Sequence, residues 1–233
     1  MTRLMRAPAI RPAVKKSSLP APVPVAQIDP APFFLMESVS WEFYEQLLEE
    51  LDRQHIHIRV TYDNGRLELM TLTNFHEQGK TLFGRLVETY ALARRIRIVG
   101  VGSVTLRKKE RKRGLEPDEC YYVTTPAPKF KVMRLDLKKY PPPDLAIEID
   151  ITRGSIERQP IYADMKVPEV WRFDGEKIIL LHRQASGKYR VATKSLAFPQ
   201  LPIAELNRFV AMAGETSQDE AVFAFWDWLL EHP

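Results

Sequence analysis

Residues 141–152, PPPDLAIEIDIT, alternate in a regular way. Leu145, Ile147, Ile149 and Ile151 share one parity, and Asp144, Ala146, Glu148 and Asp150 share the other. Alternate side chains of a strand lie on one face. The pattern therefore predicts a strand with a wholly aliphatic face and an opposite face carrying three carboxylates.

The rest of the chain divides by the same reasoning. Ser40 is placed to cap an amphipathic helix, WEFYEQLLEEL. HIHIRVTYDNGRLELMTL alternates around Asn64-Gly65, a pair that favours a type I′ hairpin. From Asn74, NFHEQGKTLFGRLVETYALARR has helical period, with Leu82, Leu86, Tyr90 and Leu92 among its apolar positions. VGSVTLRKKERKRGLEPDECYYV reads as strand, basic loop and strand, ahead of the acidic strand. ITRGSIERQPIYADM then starts a helix, in which Pro160 must occupy the first turn or break it. VPEVWRFDG and EKIILLHR are strands separated by Asp174-Gly175, and KYRVAT is a third. Two helices close the chain, IAELNRFVAMA and SQDEAVFAFWDWLLE. Trp171, Phe173, Trp226 and Trp228 sit on periodic apolar elements, as core or interface residues do. This order gives an α/β (α+β) fold: a mixed β-sheet flanked by helices, with an N-terminal helix and hairpin and C-terminal helices.

Composition refines the picture in two places. With 233 residues and 45% hydrophobic positions, one domain of ordinary size is expected over residues 36–233. Residues 1–35 read as a basic, Pro- and Ala-rich leader that cannot bury a core. Residues 1–28 of it carry five cations, Arg3, Arg6, Arg11, Lys15 and Lys16, and no acid, more than the chain's net charge of +4. The remainder is thus slightly acidic, and the basic balance alone does not make the folded part a nucleic-acid binder. The single cysteine, Cys120, excludes an intramolecular disulfide framework and a cysteine-based zinc site, and suits a reducing, cytoplasmic setting. No apolar run approaches the roughly 20 residues of a membrane span, and the N-terminus lacks the apolar centre of a secretory signal.

The three acids cannot all serve one ion. At strand rise, Asp144 and Glu148 are ~13 Å apart and Glu148 and Asp150 ~7 Å apart. Asp144 is expected to shape the turn that leads from the prolines into the strand. Glu148 needs a partner from another element, and Asp118, at the start of the preceding strand in GLEPDECYYV, is the obvious one. Two carboxylates from adjacent strands make a hard oxygen site suited to Mg²⁺ or Mn²⁺. The flanking loops are basic: Arg107, Lys108, Lys109, Arg111, Lys112 and Arg113 in one, Lys129 and Lys131 in the other. A cationic rim around an acidic metal centre fits a phosphodiester, with DNA as the expected partner. Taken separately, each loop also reads as ordinary solvated surface. His55 and His57 share a strand face, but a pair without further ligands is a weak metal pattern.

The combination of GLEPDECYYV with PPPDLAIEIDITRGSI, PIYADMKVPEVWRFDG and the upstream VTYDNGRLELMTLTNFHEQGKTLFGRLVETYA resembles the Uma family of putative restriction endonucleases, over roughly residues 38–230. That family belongs to the PD-(D/E)XK nuclease superfamily. The resemblance implies a restriction-endonuclease-like fold with Asp118 and Glu148 as metal ligands, joined by the helix acid Glu77. His76 beside it reads as a packing residue at the helix start. The resemblance also exposes a departure. Asp150 stands where the family pattern has a lysine, and the cation is recovered four residues before Tyr162, at Arg158. Arginine stabilises charge and binds phosphate but stays protonated, so it cannot be a general base; Asp150 is left to assist. Arg158 also reads as a surface helix residue paired with Glu157 or another acid. Lys166, where relatives carry glycine, is expected at a strained helix end. Two functions follow: a Mg²⁺-dependent endonuclease, in which a homodimer would give each strand of a duplex its own subunit, or a non-catalytic nucleic-acid-binding or interaction protein that keeps the fold without the lysine.

Overall fold

The computed structural model describes residues 32–129, 134–149 and 155–233. Asp150 and Lys131 lie outside the described residues, as does the leader up to residue 31. The described part of the leader is not all tail: β1 (Phe33–Met36) pairs with β3 (Arg66–Met70).

The expected mixed sheet flanked by helices is present, and a second sheet packs beside it. The first has the order β12-β11-β10-β9-β7-β4. Its centre is β9 (Leu145–Ile149), fully buried, between β10 (Glu169–Phe173) in parallel and β7 (Glu119–Tyr122) in antiparallel. β11 (Ile178–Arg183) and β12 (Tyr189–Ala192) continue one side, and β4 (Val99–Gly100) forms the other edge. The second sheet runs β1-β3-β2-β6-β5-β8, with β2 (Arg59–Asp63), β5 (Thr105–Lys108), β6 (Arg113–Leu115) and β8 (Arg134–Asp136). The stretch that reads as strand, basic loop and strand is thus split between sheets. β5, a 3₁₀ turn and β6 belong to the second sheet, and β7 to the first.

Three apolar clusters follow from these layers. One joins the aliphatic face of β9 and Trp171 to α2 (Asn74–Ala93), α4 (Ile203–Glu215) and α5 (Gln218–Glu231). A second lies on the opposite face of β9, between Ala146, Leu106, Leu115 and α3 (Gln159–Met165). The third packs α1 (Trp41–Gln54) on Val60, Tyr62 and Leu67. No described helix is long and apolar enough to cross a membrane.

Local chemistry explains the element ends. Ser40 accepts from the Phe43 amide at 3.1 Å. Asn64 and Gly65 both take positive φ, 49° and 95°, as a type I′ turn requires. Pro160 sits in the first turn of α3, where its missing N–H costs nothing. Lys166 ends that helix in the left-handed region, φ 62°, and is exposed. Asp144 is architectural. Its carboxylate accepts from the amides of Val123, Thr124 and Thr125 at 2.7, 2.8 and 2.9 Å and from both threonine hydroxyls. Burial raises its pKa, but these bonds outweigh burial and hold it below the usual value. Glu169, fully buried, accepts from Trp171 Nε1, Ser195 Oγ and the amides of Leu196 and Ala197, tying the segment before α4 to the sheet.

Candidate active site

Asp118 immediately precedes β7, and its amide bonds to the Ile147 carbonyl of β9 at 3.1 Å. Its Oδ2 accepts from the Ile149 amide at 2.7 Å. That bond turns the carboxylate toward Glu148, which leaves β9 on the face opposite the aliphatic cluster. Both acids are buried, Asp118 at 2% exposure and Glu148 at 6%.

The residue that joins them was not singled out from sequence. Arg59 projects from β2, a central strand of the second sheet whose inner positions are buried on both faces. Its guanidinium pairs with Asp118 Oδ1 and lies 3.8 Å from Glu148 Oε2. Two more partners hold Glu148. The Tyr162 hydroxyl donates to Oε1, and Arg158 Nη2 lies 3.1 Å from the same oxygen. Burial, reinforced by Glu148, pushes the Tyr162 hydroxyl well above its usual pKa, so it remains a donor. Arg158 also donates to the Glu116 carbonyl. Burial opposes its charge, but Glu148 and Tyr162 outweigh burial and raise its pKa. Its Nε and Nη1 are buried without a hydrogen-bond acceptor among the described residues.

Glu116 and Glu68 complete the surroundings. Burial raises the Glu116 pKa, against a hydrogen bond from Thr105 Oγ1 at 2.9 Å. Glu68, at 2% exposure, accepts from the Ser155 hydroxyl at 2.7 Å, the Ser155 amide and the Ile156 amide at 3.2 Å. This latches the second sheet onto the segment that leads to Arg158. A cavity of about 370 Å³ opens here, lined by Arg59, Glu68, Glu148, Arg158 and Arg172 at its polar part and by Met70, Ile156, Val170 and Leu181 elsewhere.

The third expected ligand does not join the pair. Glu77 is exposed on the first turn of α2, which packs against the opposite face of the sheet, and it acts electrostatically on Glu119 instead. Among the described residues, no three His, Cys, Asp or Glu side chains form a group that could hold a metal ion. The two carboxylates still fit a hard divalent ion. One cation, the Arg59 guanidinium, already pairs with Asp118 and lies 3.8 Å from Glu148, and Mg²⁺ commonly uses one or two carboxylates together with water and substrate phosphate. His76 keeps its expected structural role, with Nδ1 2.8 Å from Thr73 Oγ1 at the helix cap. Burial and then Arg59 lower its pKa, so it is neutral at pH 7.

Glu119, on the α2 side of β7, gives a test of this packing. Burial pushes its carboxyl up to about 7 from 4.5, opposed by Lys80 and reinforced by Glu88 and Glu77. The folded state therefore holds the proton longer than the unfolded state, and stability falls as pH rises from about 4.5 to about 7. Glu119→Gln is expected to remove that fall, a gain on the order of 1–3 kcal/mol above neutrality. Melting curves across this range would show it; curves parallel to wild type would contradict it.

The expected basic rim is partly consumed by the fold. Arg107 pairs with Glu45 at 2.8 Å. Lys108 Nζ donates to the Asp164 carbonyl at 2.8 Å, and Arg113 pairs with Asp63 and Asp164, both at 2.7 Å. Lys108 and Arg113 thereby hold α3, and with it Arg158 and Tyr162. Lys109, Arg111, Lys112 and Lys129 are exposed.

A family model, Uma2, described as putative restriction endonuclease, matches residues 41–209. No curated protein matches. Among solved structures, a putative nuclease belonging to DUF820 from Anabaena variabilis ATCC 29413 is similar, with 12% identity and a TM-score of 0.42, covering 73% of this chain and 90% of that chain.

Proposed function

The chain belongs to the Uma2 family of putative restriction endonucleases, and we propose that it is a Mg²⁺- or Mn²⁺-dependent enzyme hydrolysing DNA phosphodiester bonds. The observation that carries this reading is the convergence of Asp118 and Glu148 on one cation beside the Arg158-lined cavity. Asp118 and Glu148 would hold the metal, which supplies Lewis acidity toward water and the phosphoryl oxygens. The Ile149 amide fixes the orientation of Asp118, and Tyr162 fixes that of Glu148. Arg158 offers two buried donors, Nε and Nη1, to a phosphate oxygen and stabilises charge that builds up during hydrolysis. Glu68 and Arg113 keep Arg158 in place from two sides, through the segment before α3 and through the helix itself. Exposed Lys109, Arg111, Lys112 and Lys129 would contact the nucleic-acid backbone, and a second copy of the chain would serve the second strand.

One observation favours a second reading. Both carboxylates already have cationic partners, and Asp150 stands where the family pattern has a lysine. A binding protein that retains the fold would look like this. Plasmid nicking separates the two. The nuclease nicks supercoiled plasmid with Mg²⁺ or Mn²⁺ and stops with EDTA; metal-independent DNA binding with no cleavage under any divalent ion would leave the binding protein.

A further inference from the structure

We propose that Arg59 is a resident counter-ion of the carboxylate pair, and that its release makes divalent-cation binding and phosphodiester binding mutually dependent. The inference rests on reading Asp118 and Glu148 as the metal ligands.

Arg59 is 7% exposed, and its guanidinium meets both carboxylates. In this state the acids are largely compensated: Asp118, Glu148, Glu68 and Glu116 face Arg59, Arg158 and Arg172, so at most one negative charge is left over. Adding a divalent cation alone leaves excess positive charge in a buried place and strips Arg59 of its partners. Uncompensated buried charge is costly, so the metal on its own binds weakly. A phosphodiester changes the balance. It brings negative charge to the metal and to both arginines, and substrate phosphate is an ordinary member of the Mg²⁺ shell. Each ligand then strengthens the other, and the coupling is reciprocal by linkage. Arg59 therefore acts as a positioning residue that keeps the empty carboxylates apart from stray cations and hands the site over when both components are present.

Calorimetric titration with Mn²⁺ tests this, on the full chain with and without a short mixed-sequence phosphorothioate DNA duplex. Wild type is expected to bind Mn²⁺ at least ~10-fold more tightly with the duplex than without it. Arg59→Met removes the charge and keeps the bulk. It is expected to bind Mn²⁺ ~10-fold more tightly than wild type without DNA and to lose most of the coupling. Arg59→Lys, which keeps the charge, retains the weak duplex-free binding and decides the matter if the methionine variant does not fold. Tight duplex-free binding by wild type, or an Arg59→Met variant no tighter than wild type, overturns the counter-ion role. If Asp118→Ala still abolishes Mn²⁺ binding, the metal site itself stands. No Mn²⁺ binding by wild type or Arg59→Met, with or without duplex, overturns both.

Discussion

Glu148→Ala is expected to abolish metal-dependent nicking, a loss of ~10³-fold or more. Glu148 receives Tyr162, Arg158 and Arg59, so no other described acid can take over its position. Alanine also leaves two buried cations without this partner, and part of the loss would come from stability. Glu148→Gln separates the effects. It keeps the volume and an oxygen for Tyr162, so its melting temperature should lie closer to wild type than that of Glu148→Ala, while cleavage stays lost. Nicking by Glu148→Gln at the wild-type rate would remove this carboxylate from the chemistry.

Arg158→Ala is expected to slow cleavage ~10²-fold or more while leaving Mn²⁺ binding intact. The guanidinium makes no bond to Asp118 and contributes charge stabilisation rather than metal ligation. Arg158→Lys should fall between alanine and wild type. Its ammonium restores the charge but cannot span Glu148 and the Glu116 carbonyl while offering further donors to phosphate. Single-turnover cleavage with metal saturating measures the effect. A full rate in Arg158→Ala would show that this arginine is no substitute for the missing lysine.

The parts of the molecule legible in sequence are those set by short-range chemistry. Parity alone places Leu145, Ile147 and Ile149 on one face of β9 and Glu148 on the other. Asn64-Gly65 specifies its turn, Pro160 its helix start and Lys166 its left-handed helix end through local backbone preference. Asp144 is readable as a turn residue because its partners lie on the adjacent strand end. The pairing of Asp118 with Glu148 follows from the adjacency of two neighbouring strands.

The remainder depends on how two sheets face each other. Arg59 lies far from Asp118 and Glu148 in the chain, and only the packing of β2 against β7 and β9 brings it there. A signal existed: Arg59 shares a strand face with Thr61 and Asp63, opposite Val60 and Tyr62, and Glu68 stands between Leu67 and Leu69. A charged residue on a strand buried on both faces must find a partner. Glu77 failed in the opposite direction. Helical spacing placed it correctly in the first turn of α2, but not on the correct side of the sheet. The basic loop reads as a cationic patch because nothing in its own sequence shows that Asp63, Asp164 and Glu45 will neutralise Arg113 and Arg107.

The most direct measurement is Mn²⁺ binding in the presence of a phosphorothioate duplex, comparing wild type with Asp118→Asn and Glu148→Gln by calorimetry. Both substitutions preserve shape and remove one negative charge each. Binding by wild type and its loss in both variants, with all three folded, is the expected result. Equal Mn²⁺ binding by all three proteins would contradict the assignment of this carboxylate pair as the metal site.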